Sequence, residues 1–413
     1  MNMEQENFDN YKTNNSEQPK ILTFPSDFLW GVATSSHQVE GGNTNNDWYE
    51  WEKKGKTSEE SGIACDSWNR YEEDNNLVKD LGCNAYRFSL EWSRIEPQEG
   101  QFSNEAIEHY RKILLDMKQK GIKRVITLNH WTLPLWFSKK YGWHKKESVE
   151  KFSVYCRKVM EGLGAEMDMI ITLNEPRLTI NRGYGKGDFP PGKKNPFLYL
   201  RARKNLIKAH KASYKIVKKI RSDLPCGITQ YVNDFDWLGK GKAGNWITEK
   251  IEDFYNWKIF QEIGENQDFI GLNYYSGYEI SFRRPFVKMK AQNEIRSDFG
   301  WGFSPEGIHE VIMDAWKKFK KPIYIFENGA ADAEDKIRAK YIAGHLKWIH
   351  EAIEEGADVR GYFHWSLLDN FEWNAGYSMK FGLYEVDRNT MERKVRGSAM
   401  EYANICKSNE LEI

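Results

Sequence analysis

The chain has 413 residues, enough for one large domain or two to three small ones. Its 60 Lys and Arg balance 60 Asp and Glu, so no global field favours nucleic acid or an anionic membrane. Aromatic residues make up 14%, with 16 Trp, which calls for a large core or for a site built from flat apolar rings.

In chain order, residues 1–18 come first, a polar stretch rich in Asn, Gln and Glu. It lacks the basic start and apolar middle of a signal peptide and reads as a disordered tail. From residue 19 onward, short apolar runs alternate with amphipathic segments. The runs predict strands at Phe28–Thr34, Asn84–Leu90, Arg124–Asn129, Met169–Asn174, Gly227–Val232, Phe269–Tyr274, Ile323–Phe326 and Val359–Trp365.

Between them, Ser103–Lys120 sets Ile107, Tyr110, Leu114 and Met117 on one helical stripe, with Gly121 as a stop. Ser148–Leu163 repeats the pattern before Gly164. Ser304, Pro305 and Glu306 read as a cap, an N1 proline and an acidic first turn. Asp335–Glu355 reads as a long amphipathic helix closed by Gly356.

Eight strand–helix alternations predict a parallel sheet covered by helices, and at this length a (β/α)8 TIM barrel in one domain, residues 19–413. An open doubly wound sheet is the alternative, but no GxGxxG phosphate loop follows the first strand. The five cysteines show no CxxC spacing, which argues against a disulfide framework or zinc site and fits a reduced, cytoplasmic setting. No apolar run reaches the roughly 18 residues of a membrane span.

Barrel enzymes carry their chemistry at the C-terminal ends of the strands. Strand one leads into SSHQVEGG with Gln38 and Glu40, and strand two carries Arg87. Strand three runs into His130 and Trp131, and strand four ends on Asn174 and Glu175. Strand five offers only Asn233, while strand six runs through Asn273 to Ser276. Strand seven ends at Glu327, and strand eight leads through Trp365 to Glu372 and Trp373.

Singly, each has an ordinary structural explanation: a bonded core His, a packed Trp, a buried ion pair. Their gathering at one rim is harder to explain that way. Strands four and seven lie across an eight-stranded circle, so Glu175 and Glu327 face each other over the mouth. Two facing carboxylates in a Trp-lined pit suggest glycoside hydrolysis, one acid protonating the leaving oxygen while the other attacks or stabilises C1.

These segments resemble glycoside hydrolase family 1, the β-glucosidase and β-galactosidase family. The resemblance runs through FPSDFLWGVATSSHQVEG (Phe24–Gly41), RFSLEWSRIEP (Arg87–Pro97), TLNHWTLPLW (Thr127–Trp136), TLNEP (Thr172–Pro176), GLNYYS (Gly271–Ser276), FENG (Phe326–Gly329) and YFHWSLLDNFEWNAGYSMKFGLYEVD (Tyr362–Asp387).

It implies Glu175 as acid/base, Glu327 as nucleophile, and Arg87 and Tyr275 as the nucleophile's partners. It further implies Gln38, His130, Trp131, Asn174, Tyr275, Trp365, Glu372 and Trp373 as the substrate-binding set. It implies retention of anomeric configuration, a small-molecule β-glycoside or oligosaccharide as substrate, and neither metal nor cofactor.

Phe326 stands where the family often has Thr, and Asn129 where His is common. The stretch between strands five and six is short. Glu372 speaks for an unphosphorylated glycone over a 6-phospho-β-glycosidase, for which Lys380 is the cation to consider. A transglycosylase would share the same residues, and a non-catalytic glycan-binding relative would usually lack one of the two carboxylates.

Overall fold

The computed structural model describes residues 20–239 and 242–413. The tail expected over residues 1–18, and the expected domain start at residue 19, lie outside the described residues.

Eight parallel strands close on themselves: β1 (Leu29–Ala33), β2 (Ala85–Ser89), β3 (Lys123–Thr127), β4 (Met169–Asn174), β5 (Cys226–Trp237), β6 (Ile270–Ile280), β7 (Ile323–Asn328) and β8 (Val359–Trp365). Each pairs with the next, and β8 pairs back onto β1 from Gly361↔Leu29 to Trp365↔Ala33. The fold is therefore the (β/α)8 barrel expected, not the open sheet.

The outer helices are α1 (Ser67–Asp80), α2 (Asn104–Gln119), α3 (Ser148–Leu163), α4 (Pro196–Ile220), α5 (Lys242–Glu252), α6 (Glu306–Phe319), α7 (Arg338–Glu354) and α8 (Gly397–Ser408). Outside the barrel, Ile21–Thr23 pairs antiparallel with Glu410–Glu412 and ties the described start of the chain to its end.

Strand alternation sorts the core into two layers. Ala33, Ala85, Val125, Met169, Ile171, Phe269, Tyr324 and Phe326 fill the barrel. Ile126, Ile170, Ile228, Leu272, Ile325 and Tyr362 face outward onto the helices. Ser103 caps α2 by accepting from the Ala106 amide, and Gly121 leaves that helix at φ 76°.

Several local expectations are corrected. β5 and β6 run about five residues past their predicted ends at Val232 and Tyr274, because polar and aromatic residues there continue to pair. Gly164 keeps φ −59° and leads into a short 3₁₀ turn over Gly164–Glu166 instead of ending the helix left-handed. Ser304 makes no capping bond; its carbonyl accepts from the Tyr274 hydroxyl at 2.7 Å, and Pro305 occupies the N-cap position itself. Asp335 sits before α7 at φ 56°, and its carboxylate bonds Arg338 and Ser398. Directly after β4, Pro176 opens a short helix, Pro176–Ile180, at its first turn.

Candidate active site

A cavity of about 1100 Å³ opens at the C-terminal end of the strands. His130, Trp131, Glu175, Tyr275, Glu327, Trp365, Glu372 and Trp373 all line it. Sequence reasoning named each of them.

Local backbone devices aim the two acids. Asn174 pairs with Thr229 only after a register shift following Ile171, and Glu175 then takes φ 47°, ψ 56°. A left-handed Glu is uncommon and is kept only where its surroundings over-determine it. Trp131 (φ 75°) and Trp373 (φ 53°) share that departure, so three of the lining residues are held in left-handed backbone. On β7 the register skips Phe326 between Leu272↔Ile325 and Asn273↔Glu327. That bulge lets consecutive residues serve the barrel interior, Phe326 in its core and Glu327 at its cavity.

The acids meet opposite surroundings. Glu327 accepts from Arg87 Nη1 at 2.5 Å and from the Tyr275 hydroxyl at 2.7 Å. Arg87 is fully buried and also donates to Thr127 Oγ1 at 3.2 Å, the Phe326 carbonyl at 3.2 Å and Asn174 Oδ1 at 2.7 Å. Its charge is thus fixed against Glu327. Glu175 accepts from Asn273 Nδ2 at 2.8 Å and has no ion-pair partner among the described residues. Burial first, then the nearby Glu327 carboxylate, pushes its pKa up to about 8. Burial and Glu327 likewise push Glu372 up to about 8 against the Gln38 amide that bonds it.

Gln38, Arg87 and Asn174 stand behind the lining, not on it. Gln38 donates to Asn370, the Phe371 carbonyl and Glu372, and accepts from Ser35. Asn174 Oδ1 accepts from Arg87, Thr229 and Asn273, while its Nδ2 donates to His130 Nε2 at 3.0 Å. Accepting there leaves the His130 proton on Nδ1, a buried atom without a protein partner among the described residues. Burial and Arg87 hold His130 well below its ordinary pKa, so the ring is neutral.

The aromatic floor is continuous. His130 stacks on Trp365 (5.8 Å) and Trp373 (6.1 Å), and Trp373 leans on Trp131 (4.7 Å) and Trp48 (4.4 Å). Phe326 closes the barrel beneath, 5.1 Å from Phe363 and 5.6 Å from Phe269. Asn129 donates to the Thr132 carbonyl at 2.8 Å and braces the loop after β3.

Sequence reasoning placed Asn273 at the end of strand six without giving it a role; in the structure it bonds Glu175. Missed altogether were Arg177, Tyr231, Phe299 and Trp301, all on the lining. Trp301 packs 5.1 Å from Tyr275 and comes from a loop with no periodicity to reveal it. Asn233 does line the cavity; Lys380 does not.

Among the described residues no group of three or more His, Cys, Asp or Glu is placed to hold a metal ion. All five cysteines are buried and unpaired. No helix among the described residues is long and apolar enough to cross a membrane.

Barrel and site together define a glycoside hydrolase. Residues 21–237 and 248–411 match Glycosyl hydrolase family 1. The β-glucosidase A of Thermotoga maritima is 32% identical over 95% of this chain and 99% of its own length. The β-galactosidase of Pyrococcus woesei is 30% identical over 90% and 94%. Among solved structures, a β-glycosidase from Pyrococcus horikoshii superposes with a TM-score of 0.89 at 37% identity, covering 95% of this chain and 97% of that one. The T. maritima β-glucosidase in complex with galacto-hydroximolactam gives 0.88 at 32% identity, over 94% and 99%. The chain belongs to glycosyl hydrolase family 1.

Proposed function

We propose that the chain is a retaining β-glycosidase acting on unphosphorylated β-glucosides or β-galactosides by double displacement. The observation that carries this reading is the split between two buried acids. Glu327 is bonded by a fixed guanidinium and a phenol, whereas Glu175 is desolvated and kept protonated by its neighbour.

In the first step a Glu327 oxygen attacks C1 of the glycone, and the Glu175 proton passes to the departing glycosidic oxygen. A glycosyl ester on Glu327 results and the aglycone leaves as its alcohol. In the second step Glu175, now a carboxylate, takes a proton from water as the water oxygen attacks C1. The ester bond breaks, Glu327 returns as carboxylate, and two inversions give net retention. Arg87 and Tyr275 hold one Glu327 oxygen each, so the attacking lone pair is oriented before substrate arrives.

The neutral His130 donates from Nδ1, Glu372 bonds outer hydroxyls, and Trp365 and Trp373 take the apolar face of the pyranose. Gln38 and Asn174 act by orienting Glu372 and His130. Glu372 has no ion-pair partner among the described residues, so no cation beside it would neutralise a phosphate. The polar set serves hydroxyls. The whole of residues 19–413 forms one catalytic unit, working in the cytoplasm.

The test is to trap the intermediate with a 2-deoxy-2-fluoro β-glucoside and map the label by mass spectrometry. The expected result is one glucosyl unit on the peptide containing Glu327. Turnover without any such adduct, or an adduct elsewhere, contradicts the proposal.

A further inference from the structure

Away from the site cavity, the last helix closes the chain onto its first strand. The Tyr402 hydroxyl of α8 donates to the Gly31 carbonyl of β1 at 2.7 Å. Asn409, just past the helix, accepts from Trp30 Nε1 at 2.9 Å and donates to the Phe24 carbonyl at 2.7 Å. The pairing of Ile21–Thr23 with Glu410–Glu412 continues the tie.

Two cysteines meet where α8 passes β2. Cys83 stands two residues before β2 and Cys406 in the last turn of α8, with their sulfurs 3.8 Å apart. A separation of 323 in sequence hides the pair from any spacing motif.

The other thiols are placed differently. Cys65 and Cys156 direct theirs at the Asp369 and Ser213 carbonyls, at 3.2 and 3.9 Å. Cys65, Cys156 and Cys226 are wholly buried, whereas Cys83 and Cys406 are 5% and 7% exposed. Each of these two also adjoins an exposed residue, Asn84 and Lys407. The two most accessible thiols of the chain therefore lie side by side. A disulfide holds its sulfurs about 2.05 Å apart, so closure needs an approach of about 1.8 Å, a distance that side-chain rotation can supply.

We propose that Cys83 and Cys406 form an oxidisable pair, which closes into an intramolecular disulfide when the protein meets a small disulfide oxidant and so pins the last helix to the second strand. One thiolate attacks the oxidant's S–S bond and expels a thiolate. The other attacks the protein sulfur of that mixed disulfide and expels the second. The protein gives up two electrons and two protons, and the oxidant leaves as two thiols.

Burial raises the Cys406 thiol well above its ordinary pKa, so the exchange is slow at neutral pH and quickens as pH rises. The link would close a loop over most of the chain, the case in which a cross-link restricts the unfolded state most. The pair touches neither acid and stands independently of the β-glycosidase reading.

The test incubates the native full chain with glutathione disulfide at mildly alkaline pH, then unfolds and alkylates it for mass spectrometry beside a dithiothreitol-treated control. The expected product lacks two hydrogens and has three alkylatable thiols where the reduced chain has five. Its digest holds one linked pair of peptides, containing Cys83 and Cys406. Its Tm is higher by about 5–10 °C, a gain that dithiothreitol reverses. Cys83→Ser and Cys406→Ser are each expected to lose both the link and the gain. Five free thiols after oxidation, glutathione adducts alone, or a link to another cysteine overturn the site. A Cys83–Cys406 link without the Tm gain overturns the pinning.

Discussion

The sugar pit and the outer wall of the same cavity are built in opposite ways. In the pit, Arg87, Asn174, Gln38 and Asn273 are buried and each bonds two or more partners, so the charge and tautomer of neighbouring groups are set in advance. On the outer wall, Phe235 is half-buried and Val287 exposed, and both line the cavity with purely hydrocarbon side chains. Chemistry demands the first arrangement, because a misplaced charge at the reacting carbon is costly. Selection of a leaving group needs only shape and apolar area.

That contrast breaks most sharply at Glu327. Glu327→Gly is expected to lower kcat on an activated aryl β-glucoside by about four to six orders of magnitude, measured by nitrophenol release. Near-normal turnover would end the assignment. Glu175→Gln follows, with a loss of about 10²- to 10⁴-fold on alkyl glucosides and a much smaller one on aryl substrates whose leaving oxygen needs no proton. Equal losses on both would assign Glu175 another role.

Tyr275→Phe removes one donor to a buried carboxylate and is expected to cost about 10- to 100-fold in kcat/KM, with the fold intact. The pH profile sharpens the comparison further. Glu175 must be protonated to act, and its pKa is raised to about 8, so kcat/KM is present below that pH and lost as pH rises through it. Glu372 titrates in the same range. The alkaline limb must vanish in Glu175→Gln and persist in Glu372→Gln. The smallest effect belongs near the wall. Phe286, 55% exposed, changed to Ser should alter thermal stability by no more than about 0.5 kcal/mol.

The same contrast marks what could be read in the chain. The barrel and both acids were legible because strand ends repeat and because polar residues inside apolar runs, such as Asn174 and Glu175, have no local reason to be there. Which of those residues touch the cavity was not legible. Gln38 bonds Glu372 and Asn174 bonds His130 from behind the lining, an arrangement made by packing between strands distant in sequence. The wall escaped notice because β5 and β6 were expected to end where polar residues begin. Asp236 and Glu279 continue the strand with their side chains turned to a separate polar cavity. Trp301 and Phe299 were hidden for a simpler reason: a loop carries no period.

The most direct test of two acids working in turn on one ring is the stereochemistry of the first-formed sugar. Proton NMR of a β-glucoside during its first minutes of hydrolysis should show the β-anomer accumulating before mutarotation supplies α. The α-anomer appearing first would mean a single displacement by water, which contradicts a nucleophilic Glu327 served by Glu175 as acid and then base.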